Sequence, residues 1–224
     1  MILNRLELIN EEFEAPNVTP EQYDELLANA WRHFGTHFFR YNFGIYQDEI
    51  RRVIPLRIRL TEFQQSKSQR RVIKRNADLQ VSIAPFNISL ETHNLFERHK
   101  RRFKSNVPDS IYDFIAGDTA SSPTSLFEIT ARKSGKLVAT SFFDLAKHSV
   151  SAIYGCFDPD ETSRSLGIFT MLKVMNYARE QGFEFYYHGY AYEGSSFYDY
   201  KKRFSAIEAF DWSRSWSQMI VSKS

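Results

Sequence analysis

Three strand-like runs follow one another almost without pause: Leu126 to Arg132, Leu137 to Leu145 after a Ser134-Gly135-Lys136 turn, and Ser149 to Phe157. Breaks this short join antiparallel neighbours, so the centre of the fold is predicted to be an antiparallel meander. The periodicity then changes. From Ser165 to Gln181, Leu166, Phe169, Leu172 and Met175 recur at helical spacing, and Gly182 ends the run. Phe183 to Tyr190 returns as a strand, Ser196 to Phe204 as a short helix, and Ile207 to Val221 as a terminal strand pair. Ahead of the meander stand a strand at Leu79 to Ala84 and helices at Glu91 to Phe103 and Pro108 to Ile115. The class is α+β, with a mixed, largely antiparallel sheet flanked by helices.

The first third is punctuated differently. Thr19-Pro20-Glu21-Gln22 is a capping box with proline at the first helical position, and the helix it opens is expected to reach about Phe34, where Gly35 stops it. In the strand Val53 to Leu60, Ile54, Leu56, Ile58 and Leu60 give the apolar positions. Ser66 and Gln69 form a second capping box, opening a helix that carries Lys67, Arg70, Arg71, Lys74 and Arg75 on one face and Val72 and Ile73 on the other. A small N-terminal α/β domain (1–77) ending in this basic helix and a second domain (78–224) are expected.

The stripe contains no acid, and like charges at i+3 and i+4 cost a few tenths of a kcal/mol per pair. The same spacing also suits a solvated helix face. From Arg51 to Lys104 there are 14 Lys/Arg against 4 Asp/Glu, so this stretch carries +10 and the remainder −8 of a net +2. A second cluster, Arg98, Lys100, Arg101, Arg102 and Lys104, adds to it. An extended polyanion is the natural partner of such a surface. A membrane is disfavoured, since the stripe has no Trp or Phe beside it and no 18-residue apolar run occurs. The charged start, Met1 to Glu7, lacks a signal pattern, and the cytoplasm is the expected compartment. Cys156 is the single cysteine, which excludes an internal disulfide. His33 and His37 lack the Glu and third ligand of a metal site and read as structural.

The order strand, two helices, three antiparallel strands, helix, strand, helix, strands resembles that of GNAT-type acyltransferases. Acetyl-CoA enzymes of that fold open the central helix with R/Q-x-x-G-x-G/A. Here the run is Arg164-Ser165-Leu166-Gly167-Ile168-Phe169, with bulky Phe169 at the last small position. Arg164 either meets a phosphate or pairs with Asp160 or Glu161.

A more specific likeness lies in four ordered blocks: Phe63 to Leu79, which holds the basic helix; Phe157-Asp158-Pro159-Asp160 with Arg164-Ser165-Leu166-Gly167; Tyr187-His188-Gly189-Tyr190; and Glu193-Gly194 with Tyr200-Lys201-Lys202-Arg203-Phe204. Together they resemble the aminoacyl-tRNA–protein transferases of the N-degron pathway, both the arginyltransferases and the bacterial leucyl-transferring type. Two departures stand out. The family's cysteine-rich segment corresponds to Tyr41 to Glu49, which has no cysteine, and its Pro-Lys-Met step is Ser196-Phe197-Tyr198.

The resemblance implies transfer of arginine or leucine from aminoacyl-tRNA to the α-amine of a protein or peptide N-terminus with an acidic residue. The co-substrate is aminoacyl-tRNA, with no other cofactor and no metal, and the protein is expected to act as a monomer. An aminoacyl ester is already activated, so the reaction needs positioning, a proton acceptor and oxyanion stabilisation, without a covalent nucleophile. Asp144, then Asp158, are the candidate proton acceptors, although a strand-end turn carboxylate is an equal reading of Asp144. Tyr187, Tyr190 and Tyr200 either supply hydroxyl donors or stack on the terminal adenine, Tyr187 and Tyr190 standing in the catalytic set, although aromatic residues in strands also suit a core. Arg164, Ser165, Gly189, Tyr200, Lys201 and Arg203 are substrate-binding candidates, with Lys201 and Arg203 meeting phosphate or an acidic acceptor side chain, or else closing an exposed helix end. Lys67, Arg70, Arg71, Lys74, Arg75 and Asn76 are the tRNA-binding candidates. A CoA-dependent N-acyltransferase and a non-catalytic tRNA-binding protein are the competing readings.

Overall fold

The computed structural model describes residues 7–104, 106–118 and 120–219. Its elements are β1 (Asn10–Glu14), α1 (Pro20–Ala28), β2 (Arg32–Phe34), β3 (His37–Tyr41), β4 (Phe43–Tyr46), β5 (Glu49–Arg59), α2 (Lys67–Arg75), β6 (Gln80–Pro85), α3 (Leu90–Lys100), β7 (Ser125–Lys133), β8 (Lys136–Leu145), β9 (Ser149–Phe157), α4 (Leu166–Glu180), β10 (Phe185–Tyr192), β11 (Ile207–Phe210) and β12 (Trp216–Gln218).

The expected meander forms the middle of a nine-stranded sheet. Ser134 and Gly135, both at positive φ, close β7 onto β8 in a two-residue hairpin loop. The long α4 then carries the chain across, so that β10 joins β9 in parallel. Along the sheet the order is β12-β11-β5-β10-β9-β8-β7-β6, with β4 hairpinned onto β5. Strands from both sides of residue 77 therefore share one sheet. A separate three-stranded sheet, β1-β3-β2, accompanies α1.

Adjacent residues on β8 feed different cores. Phe143 joins Ile58, Ile129, Val150, Leu172, Met175 and Tyr186 beneath α4, while Phe142 joins Leu95, Phe96, Leu126 and Cys156 beneath α3. Each such side chain contributes roughly 2–3 kcal/mol by leaving water. Within this core, burial pushes the Cys156 thiol up to about 12, which leaves it a packing residue.

Several expected boundaries shift. The helix expected to reach Phe34 ends at Ala28, because Ala30 turns into the left-handed region (φ 66°) and the aromatic run after it pairs with β3. The helix expected at Pro108 to Ile115 is a 3-10 turn at Ile111–Asp113, and that at Ser196 to Phe204 is 3-10 over Phe197–Arg203. The terminal strand pair is present as β11 and β12, and its expected end at Val221 lies outside the described residues. Both capping boxes, Thr19 with Gln22 and Ser66 with Gln69, form.

Candidate active site

β9 and β10 pair only from Ser149–Ser151 to Phe185–Tyr187. Beyond Tyr187, β10 bulges against β5 and its pairing with β9 ends, opening a gap at the carboxyl ends of a parallel pair. Open α/β sheets bind ligands at such positions. Tyr187 to Tyr190 lie on one edge of this opening, and Gly167, against Phe157 at the end of β9, lies in the first turn of α4 on the other.

On the β10 edge, each residue of Tyr187-His188-Gly189-Tyr190 has a separate task. The Tyr187 hydroxyl is buried and accepts from Arg57 Nη1 at 3.1 Å, while Arg57 itself pairs with Glu208. His188 donates from Nε2 to the Lys201 carbonyl at 2.9 Å, and burial pushes its imidazole down to about 3, so it is neutral. Gly189 takes φ +90°, which strains any other residue. The Tyr190 hydroxyl donates to the Ala30 carbonyl at 2.5 Å. Lys201 then donates from Nζ to the Tyr190 carbonyl at 3.0 Å, so its backbone and its side chain are both tied to β10. Tyr200 is half-buried, with its hydroxyl pushed up to about 12 by burial, and Arg203 is exposed.

Sequence reasoning missed Arg32. Its guanidinium enters the mouth of the opening, where Nη1 donates to Ser151 Oγ at 2.7 Å and to the Tyr187 carbonyl at 3.5 Å, and Nη2 donates to the Ala152 carbonyl. The side chain thus satisfies backbone groups that the separating strands leave unpaired. One local signal was available: Arg32 is a charge inside the aromatic run Trp31 to Phe34.

On the other edge, Ser165 holds the left-handed conformation (φ 54°) just before α4, and its side chain makes no capping bond. A Cβ on Gly167 would lie 3.3 Å from the Phe157 ring, so glycine lets the first turn of α4 sit against β9. Phe169 is buried among Leu79, Val138 and Leu166, filling the place of a small residue in the CoA motif. Arg164 binds Asp78 through both terminal nitrogens (2.8 and 2.9 Å) and Glu161 through Nε (2.8 Å). These contacts fasten the end of α2 to the start of α4. Asn76, buried, completes the joint by donating to the carbonyls of Val72 and Arg164, both at 2.9 Å. Arg164→Ala is expected to cost about 1–2 kcal/mol, because its partners are partly solvated, with a lowered midpoint in urea as the readout.

The cations of α2 stand apart. Lys67, Arg70, Arg71, Lys74 and Arg75 are all exposed, and none pairs with a described carboxylate, although Arg75 reaches the Ser163 carbonyl and Arg70 the Gln65 carbonyl. In the second cluster, by contrast, Arg98 pairs with Asp158 and Lys100 with Glu97.

The two carboxylates proposed from sequence are packed into the fold. Asp144 is fully buried and accepts from Thr124 Oγ1 at 2.6 Å, His33 Nε2 at 2.8 Å and the Tyr23 hydroxyl at 3.2 Å. Asp158 accepts from Lys136 at 2.9 Å and from the Asp160 amide at 3.1 Å. Burial alone would raise the Asp158 pKa, but the Lys136 hydrogen bond and the amide outweigh it and hold the carboxyl below its usual range. Its contribution is therefore complete above an unfolded pKa near 4 and lost as pH falls through the lower folded value. Denaturation curves from pH 6 to pH 3 are expected to show this loss at the acid end, with a shallower acid slope in Lys136→Met. Among the described residues, no three His, Cys, Asp or Glu side chains converge as metal ligands, and no helix is long and apolar enough to cross a membrane. A surface cleft lined by Phe13, Trp31, Arg40 and Arg214 among others contains none of the sequence-predicted site residues.

Comparison with known proteins is consistent with this arrangement. Residues 91–211 match the family described as Arginine-tRNA-protein transferase, C terminus, and residues 4–71 the corresponding N terminus. The aspartate/glutamate leucyltransferase of Leptospira interrogans is 32% identical over 151 residues, covering 65% of this chain and 59% of that protein. That of Stenotrophomonas maltophilia is 30% identical over 166 residues, covering 70% and 66%. The chain thus spans about three fifths to two thirds of the length of these relatives. The crystal structure of FemX shares the fold, with a TM-score of 0.50 at 11% identity over 87% of this chain and 68% of that one. The mixed sheet with its flanking helices is GNAT-like, as the element order implied. With both family models matched, together over most of its length, the chain belongs to the arginine-tRNA-protein transferase family.

Proposed function

We propose that this protein transfers an amino acid from aminoacyl-tRNA to the α-amine of a protein or peptide whose N-terminal residue is acidic. The observation that carries this reading is the joint between α2 and α4: five exposed cations, none paired with a described carboxylate, on a helix fastened by Arg164 and Asn76 beside the β9/β10 opening. Such a face suits the acceptor arm of a tRNA, and the joint leads its charged end toward the opening. The names of the two relatives favour leucine over arginine as the donor and aspartate or glutamate at the acceptor N-terminus. The cytoplasm is the compartment this chemistry implies, and a monomer is sufficient for it.

The reaction forms one C–N bond and breaks one C–O bond. The neutral α-amine attacks the ester carbonyl, a tetrahedral oxyanion forms, and the ribose oxygen leaves with the proton that the amine gives up. Tyr200, with a hydroxyl held protonated at neutral pH, is suited to donate toward developing negative charge. Asp144 and Asp158 act in this reading as positioning groups, Asp144 through His33 and Tyr23 and Asp158 through the turn it caps.

Incubation with each charged tRNA in turn and a peptide set varied at the first residue tests the reading. Leucine transfer to peptides beginning with Asp or Glu is expected. No transfer from any charged tRNA to any peptide would contradict it.

A further inference from the structure

We propose that Arg32 and Lys201 form a carboxylate-binding site at the Gly189 bulge, which takes the acidic side chain of the acceptor's N-terminal residue. The assignment rests on the transfer reading above.

The first argument is charge. Most buried or half-buried cations around the central sheet have acids: Arg57 and Arg59 share Glu208, Arg164 has Asp78 and Glu161, and Arg98 has Asp158. Among the described residues, Arg32 and Lys201 do not. Arg32 is 8% exposed, and its partners are one hydroxyl and two carbonyls. Lys201 Nζ has the Tyr190 carbonyl as its partner and stands 5.1 Å from the centre of the Tyr198 ring. Asp144 lies opposite Ser151 in the β8–β9 ladder but is already held by His33, Tyr23 and Thr124, and it does not pair with Arg32. Two enclosed cations side by side, with neutral ligands, are unfavourable until an anion joins them. Burial and the neighbouring Arg32 guanidinium push the Lys201 ammonium down to about 7, as expected for a cation lacking its counter-charge.

The second argument is convergence. A Cβ built on Gly189 would lie 3.1 Å from Lys201 Nζ and 3.9 Å from Arg32 Nη2. Glycine therefore lets both cations draw up to the same point of the β10 backbone. His188 and the Tyr190 carbonyl hold Lys201 in place, so the site is built before any ligand arrives.

The third argument selects the ligand. Phosphates of a polyanion are matched by the exposed stripe of α2, whereas this enclosed pair suits one small anion that can shed its water. The site also stands at the opening where the α-amine is to meet the ester. The carboxylate of an N-terminal aspartate is joined to that amine through two carbons, so one bound group orients the other. Asn or Gln at the same position offers no charge to either cation.

Titration of the full-length protein with peptide pairs differing only in Asp or Asn at the first residue, without tRNA, tests the site by calorimetry. Wild type is expected to prefer Asp by roughly 10- to 100-fold. Lys201→Met is expected to bring the two peptides to near-equal affinity while leaving the Asn peptide and tRNA affinities unchanged. Arg32→Lys, which keeps the charge but loses the fork, should reduce the preference partially. A Lys201→Met protein that keeps the full Asp preference, that loses both peptides equally, or that loses tRNA affinity instead overturns the assignment. If wild type discriminates Asp from Asn through Lys201 yet transfers nothing from any charged tRNA, the site stands and the transfer reading fails. If transfer proceeds in Lys201→Met with unchanged Asp selectivity, the transfer reading stands and the site fails.

Discussion

Replacing Arg70 and Arg71 together by alanine is expected to weaken tRNA binding by about 10- to 100-fold at low salt and to flatten the slope of log K against log salt by about 2. Both side chains are exposed, and among the described residues neither has an acid partner that would survive as an unpaired charge after substitution. The helix beneath them is held by the Ser66–Gln69 capping box and by Val72 and Ile73, which pack against the central cores. The double variant should therefore fold normally, relieved of a few tenths of a kcal/mol of repulsion. Lys100→Ala makes the control. Because Lys100 already pairs with Glu97, its loss should change the slope by less than 1. An unchanged slope in the double variant would make α2 an ordinary solvated surface.

Asp144→Ala is expected to cost about 3 kcal/mol or more, lowering the melting temperature by about 6–12 °C. The carboxylate ties together three distant segments: α1 through Tyr23, β2 through His33 and the loop before β7 through Thr124. Removing it leaves two buried donors, Tyr23 and His33, and the partly buried Thr124 facing an apolar methyl group. Asp144→Asn should cost less, since an amide oxygen can still accept from two of them. Chemical denaturation of both variants checks the order. A loss below about 1 kcal/mol for the alanine variant would mean that these contacts hold little of the fold together.

The parts of this fold legible in the sequence are those fixed locally. Strand alternation, the Ser134-Gly135 turn, the helical spacing of α4 and both capping boxes depend on residues a few positions apart, and they appear where the sequence placed them. The end of α1 was misplaced because Trp31 to Phe34 suits a helix as well as a strand, and what decides it is pairing with β3. The surroundings of the site were less legible still. Arg32 meets Ser151 and Ala152 from about 120 positions away, and Asp144 meets His33 across 111. No spacing rule reports such contacts. Gly189 was found through its motif, but the reason for glycine, a bulge at positive φ against which Lys201 and Arg32 pack closely, needs the third dimension.

The transfer chemistry makes one demand that a competing acyltransferase does not. Wild-type protein should be offered leucyl-tRNA and acetyl-CoA in parallel, with a peptide beginning with aspartate in free and N-acetylated forms, and the products read by intact mass. A leucyl addition from the tRNA to the free peptide, with none on the acetylated one, is the expected result; an acetyl addition from acetyl-CoA with no leucyl addition would contradict it.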